Sequence, residues 1–192
     1  MDQVRSFIAI ELPDELKRRL GQFETSLESG GRYRAKWVKP GSIHLTLKFL
    51  GNVAADRIAE IEEAISEAVR GIPPFSLEVE GPGAFPDLNR VQVVWIGISG
   101  AMDKLGRLQK RLESNLEPLG FAPEKRAFRP HLTVARMHNE ASVEERREFG
   151  RHIADTGFDP VALPVKAVNL MKSQLTRAGG VYSRLHSAEL TG

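Results

Sequence analysis

The chain carries one apolar strand motif twice, HLTL at 44–47 and HLTV at 131–134, and each copy sits in the same order of elements. Residues 5–12 (RSFIAIEL) read as a strand. Pro13-Asp14 then starts a helix with Leu16, Leu20, Phe23 and Leu27 at helical spacing. A short segment, 35–38, and the turn Lys39-Pro40-Gly41 lead into the first motif, which Gly51-Asn52 closes. A helix with Ile58, Ile61, Ile65 and Val69 on one stripe follows and ends at Gly71-Ile72-Pro73-Pro74. Residues 75–79 and 91–98 are predicted strands, paired antiparallel across a loop rich in glycine and proline. The order then recurs: a helix with Leu105, Leu108, Leu112 and Leu116, a basic loop at 118–128, the second motif, a helix at 143–153, and late strands at 161–173 and 181–190. Two copies of a long unit are a duplication; a solenoid needs three or more copies of a short one. The simplest arrangement is two equivalent lobes related by a pseudo-two-fold axis, with the motif strands side by side.

Composition narrows the chemistry. Apolar residues at 41% and charged residues at 27% describe a chain that folds and exclude a disordered acidic or low-complexity one. Cysteine is absent, so disulfides, thiolate metal sites and cysteine nucleophiles are excluded together. No apolar run approaches the roughly 18 residues of a spanning helix, and residues 1–5 lead straight into a strand, so the expectation is a cytoplasmic protein with no membrane partner. A net charge of +2 is a mild bias towards anionic partners.

Side chains two apart on a strand share a face, so His44 and Thr46 point one way and Leu45 and Leu47 the other; His131 and Thr133 repeat this. If both polar faces line one cleft, it holds two imidazoles and two hydroxyls. Water attack on a cyclic phosphodiester needs a base on one side of phosphorus and an acid on the other. Histidine, with an ordinary pKa near 6.5, fills either role near neutrality without a metal. Thr46 and Thr133 are candidate donors to the non-bridging oxygens. The competing interpretation makes each histidine a satisfied polar residue on a half-exposed strand. Two His-x-Thr triplets at matching places, from only five histidines, argue against coincidence.

With the motifs stand RSFIAIELP at 5–13, Trp37, HLTLKFLG at 44–51, RVQVVWIG at 90–97, FRPHLTVAR at 128–136 and the 173–182 stretch. Together they resemble the 2H phosphoesterase superfamily, and within it the RNA 2′,3′-cyclic phosphodiesterases, also called 2′-5′ RNA ligases. The resemblance covers nearly the whole chain. It implies an α+β, bilobal, pseudo-two-fold duplicated fold, with antiparallel sheets lining a central cleft and helices outside. A single domain over 1–192 is implied, made of two intertwined lobes that each contribute one motif. The implied activity is metal-independent, cofactor-free opening of RNA 2′,3′-cyclic phosphate ends to 2′-phosphates, with His44 as proton donor and His131 as proton acceptor. Spacing alone does not break their equivalence. The implied partner is RNA with a cyclic phosphate end, cleaved tRNA halves being one candidate, and the chain is expected to be a monomer.

Arg136 has the opposite strand parity to His131 and reaches a cleft only where the strand twists or ends; the resemblance favours it as a substrate-phosphate contact. Cationic loops precede both motifs, with Arg32, Arg34, Lys36 and Lys39 before the first and Lys125, Arg126 and Arg129 before the second. Trp37 and Phe128 are open to base stacking or to core packing. His138, His152 and His186 have no threonine partner and are expected on the surface. Ligation of a cyclic end to a 5′-hydroxyl, and a binding module that no longer turns over, are the competing functions. A metallohydrolase is disfavoured, because no H-E-x-x-H, no H-x-H and no nearby carboxylate accompanies either motif.

Overall fold

A computed structural model describes residues 2–176 and 179–192; Met1, and Arg177 and Ala178 within the 173–182 stretch, lie outside the described residues. Among the described residues four α-helices and nine strands follow in the order β1 (Gln3–Glu11), α1 (Asp14–Ser29), β2 (Ala35–Trp37), β3 (His44–Ala54), α2 (Ile58–Val69), β4 (Phe75–Phe85), β5 (Val93–Gly100), α3 (Met102–Leu116), β6 (His131–Met137), α4 (Val143–Thr156), β7 (Val161–Val165), β8 (Ala167–Thr176) and β9 (Gly179–Glu189). The strands form two antiparallel sheets, β3-β1-β8-β9 and β2-β6-β5-β4-β7. Apart from β2 the second sheet repeats the first: a motif strand, the strand that precedes a long helix, and two more. The architecture is therefore α+β with two equivalent sheets.

The helices are exchanged between the halves. α2 and α3 pack on each other and against β8, β9 and β3, whereas α1 and α4 pack on each other and against β7 and β4. The spaced leucines and isoleucines of the helices meet the backs of the sheets in one cluster. Leu16, Leu20, Ile61, Ile65, Leu105, Leu108, Leu45 and Leu132 are fully buried in it. Fully burying one such side chain contributes about 1.5–3 kcal/mol. The leucines of the two motifs thus fix each strand to the core while the alternate face stays free.

Several predicted boundaries move. β3 runs on past Gly51-Asn52 to Ala54. The 75–98 segment holds less loop than its glycines and proline suggested, because β4 continues through Gly81-Pro82-Gly83 to Phe85. Gly81, at φ 67, forms a bulge that carries the strand on. At Gly83 an added Cβ would come within 2.3 Å of the Trp95 ring, so the position has room for glycine alone. Residues 161–173 are not one strand. They divide at Lys166 into β7, which pairs with β4 in the second sheet, and β8, which pairs with β1 in the first.

Candidate active site

The site starts from one backbone irregularity made twice. Thr46 stands opposite Ala9 and Lys48 opposite Ile8, leaving Leu47 as an extra residue in β3. Thr133 stands opposite Trp95 and Ala135 opposite Val94, leaving Val134 extra in β6. Each bulge falls three residues after the histidine and resets the alternation of faces. Leu47 and Lys48, like Val134 and Ala135, all turn inwards. The fifth residue after each histidine therefore turns outwards. That is how Arg136, of the wrong parity in a regular strand, comes to line the same cleft as His131 and Thr133. Its counterpart in β3 is Phe49, 75% exposed.

The cleft has a volume of about 1620 Å³ and brings together His44, Thr46, His131, Thr133, Arg136 and Phe49. Each histidine is held alike. His44 Nδ1 lies 2.8 Å from the Ser42 carbonyl, and His131 Nδ1 lies 2.6 Å from the Arg129 carbonyl. A carbonyl only accepts, so Nδ1 carries the hydrogen in both rings and Nε2 is left for chemistry. Aromatic edges fix the ring planes: Phe7 and Tyr182 stand against His44 at 5.8 and 5.3 Å, and Phe85 stands against His131 at 5.0 Å and 90°. Burial holds the His44 imidazole below the ordinary histidine pKa. The Ser42 carbonyl and then the Glu11 carboxylate oppose that shift, and Lys17 adds to it.

The cationic loops divide. Lys125, Arg126 and Arg129 line the cleft. Arg34, from the group before the first motif, instead pairs with Glu145 on α4 at 2.9 Å. Trp37 packs edge-on against Phe149 at 6.1 Å, a core contact, while Phe128 both packs on the core and lines the cleft. Of the other histidines only His138 is fully on the surface. His152 and His186 are half-buried, because each meets a hydroxyl of a neighbouring element, Tyr33 at 3.2 Å and Ser66 at 3.0 Å. Among the described residues no three of His, Asp and Glu converge as metal ligands.

Sequence reasoning missed Lys48 and Glu113, Phe49, and Glu11 with Asn169. Lys48, inside an apolar strand, was the available signal for the first pair. Its ammonium donates to the Glu113 carboxylate and, at 2.9 Å, to the Ala122 carbonyl, which ties β3 to α3 and to the loop before the second motif. Phe49 and Glu11 gave no signal, since bulge and strand register decide which way they face.

The model of the 2′-5′ RNA ligase superfamily matches residues 12–177. The chain is 31% identical over 181 residues to an RNA 2′,3′-cyclic phosphodiesterase of Methanothermobacter thermautotrophicus, covering 94% of this chain and 96% of that one. It is 33% identical over 189 residues to the protein of the same name from Thermotoga maritima, covering 98% and 97%. Among solved structures, a Thermus thermophilus protein superposes with a TM-score of 0.78 at 26% identity, over 98% of each chain. E. coli LigT complexed with 3′-AMP superposes with a TM-score of 0.77 at 25% identity, over the whole of each. A duplicated fold, two matched His-x-Thr strands opening on one cleft, and relatives that span its length place this chain in the 2′-5′ RNA ligase superfamily, among the 2H phosphoesterases.

Proposed function

We propose that the protein is an RNA 2′,3′-cyclic phosphodiesterase that opens the cyclic end to a 2′-phosphate with two histidines and no metal. The observation that carries this reading is the pair of imidazoles on equivalent strands of separate sheets, each with Nδ1 held by a carbonyl and both facing one cleft. The names of the relatives support the same substrate class. In the proposed reaction His131 Nε2 takes a proton from water as its oxygen bonds to phosphorus. The bond from phosphorus to the ribose 3′-oxygen breaks on the opposite side, and His44 Nε2 supplies the proton that this oxygen needs. Thr46 and Thr133 donate to the two non-bridging oxygens as their charge builds, and the Arg136 guanidinium balances that charge. Lys125, Arg126 and Arg129 hold phosphates further along the RNA. One domain over 1–192, acting as a monomer in the cytoplasm, suffices for this, since both half-sites come from one chain.

Ligation is favoured as a second reading by the family's name and by the size of the cleft, which exceeds the roughly 300–1,000 Å³ of ordinary ligand pockets. A 5′-hydroxyl would take the place of water, giving a 2′-5′ bond. The test is to incubate the protein in EDTA with an oligoribonucleotide ending in a 2′,3′-cyclic phosphate and identify the product. A 2′-phosphate is expected. Loss of turnover in EDTA with recovery on added zinc or manganese overturns the metal-free mechanism, and unaltered RNA under all conditions leaves only binding.

A further inference from the structure

The equivalence of the two motif strands lets each residue of one half-site be compared with its counterpart in the other. Opposite His44 on the neighbouring strand stands Glu11; opposite His131 stands Gly97. Glu11 follows Phe7 and Ala9 in alternation, and so shares their face of β1, the one away from the helices. Its Oε2 accepts from Asn169 Nδ2 at 3.1 Å and lies 3.3 Å from Arg184 Nη1. Asn169 is 3% exposed, with its amide aimed at a group that can only accept, and its own Oδ1 is buried without a partner. In the other half Gly83 takes the place of Asn169, since Asn169 pairs with Ala9, and Gly83 with Trp95, at equivalent points. A carboxylate with a dedicated support therefore stands beside one histidine of the pair and is missing beside the other.

We infer that Glu11, held by Asn169 and Arg184, is the positioning residue that makes the two equivalent histidines unequal, favouring the imidazolium of His44 against its burial so that His44 serves as the proton donor. The inference rests on the two-histidine reading above. Around His44 the charged and polar neighbours are Glu11 on β1, Arg184 and Tyr182 on β9, Lys17 on α1 and the Ser42 carbonyl. Burial, the largest influence, and Lys17 favour the neutral ring; the Ser42 carbonyl and Glu11 favour the imidazolium. A donor must be charged before the leaving oxygen departs, so the half-site that buries its histidine needs a compensating anion. Arg184 holds Glu11 in place while offsetting part of its field.

The experiment follows the His44 ring by NMR against pH in the wild type, Glu11→Gln and Arg184→Met, beside the pH profile of kcat/KM on an oligonucleotide with a cyclic phosphate end. In Glu11→Gln, His44 should titrate at lower pH; in Arg184→Met, at higher pH. A merely structural role does not give opposite signs. The descending limb of the profile, which reports loss of the donor's proton, should move the same way. In Glu11→Gln that lowers kcat/KM on the alkaline side by roughly 3- to 10-fold, and the loss should shrink on an activated ester whose leaving group needs no proton. An unmoved His44 titration overturns the inference and leaves the two-histidine mechanism standing. A shift of the ascending limb instead makes His44 the base and overturns it as well. A moved titration with neither limb displaced overturns the acid-base reading together with the inference.

Discussion

The two half-sites share a backbone plan and differ in what surrounds the imidazole. In both, a bulge three residues past the histidine turns the fifth residue into the cleft, and a carbonyl two residues before it holds Nδ1. Around His131 the ring contact is aromatic: Phe85 lies edge-on to the ring, and Trp95 tilts against Phe85 at 5.3 Å over a glycine that leaves it room. Around His44 they include Glu11, Asn169 and Arg184 as well as Phe7 and Tyr182. On the proposed mechanism, duplication supplies two equal places for a proton-carrying group on either side of one phosphate, and the direction of proton flow comes from side chains that duplication did not preserve.

Removing either imidazole is the largest break. His44→Ala and His131→Ala should each lower kcat by roughly 10³-fold or more on a cyclic-phosphate oligonucleotide, measured in single turnover. The comparison is sharpened by an activated phosphodiester with a nitrophenolate leaving group, which departs without a proton. His44→Ala should recover most of its loss on that substrate and His131→Ala should not. Recovery by His131→Ala reverses the roles; recovery by neither removes acid-base catalysis from the account. Thr46→Ala and Thr133→Ala come next, each deleting one proposed donor to a non-bridging oxygen, with an expected loss of roughly 10- to 1000-fold in kcat. Equal and mild effects at all four positions would mark a binding module.

A smaller contrast is at the fifth position. Arg136→Met removes the charge proposed to meet the phosphate and should cost roughly 10- to 100-fold in kcat/KM. Phe49→Ala removes an exposed ring with no charge to offer and should raise KM alone by about fivefold, the low end for one stacked base. A kcat effect from Phe49 equal to that of Arg136 would mean the two halves meet the substrate alike.

These residues also show what was legible in the sequence. His44, Thr46, His131 and Thr133 could be placed from strand alternation because they precede the bulges, where period two still holds. Arg136 could not be placed by parity, since Val134 looks like any β-branched strand residue and nothing local marks it as the extra one. The helices were read closely, as their leucine spacing needs no partner to be recognised. The strand at 161–173 was misdivided for the opposite reason: which sheet a strand joins depends on residues far away in sequence; β4 was cut short because Gly81-Pro82-Gly83 looks like a loop where it forms a bulge. Glu11 and Asn169 are 158 residues apart and meet only through β1 and β8.

The smallest expected effect on rate, with a larger one on stability, comes from a link that only one half possesses. Lys48, 8% exposed, is matched in the second half by Ala135, the residue that follows the other bulge. The Lys48 ammonium bonds Glu113 and the Ala122 carbonyl, and Glu113 also accepts from Gln109 at 2.9 Å, so one wall of the cleft is tied to β3 by charge. Lys48→Met leaves Glu113 largely buried without its cation, which should cost about 3 kcal/mol in denaturant unfolding. Lys48→Met with Glu113→Leu removes both charges and should regain most of that stability, because a matched apolar pair replaces the ion pair without its desolvation cost. Neither variant restores the bond to Ala122, so the loop carrying Lys125 and Arg126 should stay looser in both. KM for the oligonucleotide should therefore rise by about threefold in the single and the double variant alike, with kcat unchanged. A double variant that regains stability and wild-type KM together would show that this link serves the fold alone, and that the two halves differ at their histidines but not in how their walls hold the RNA.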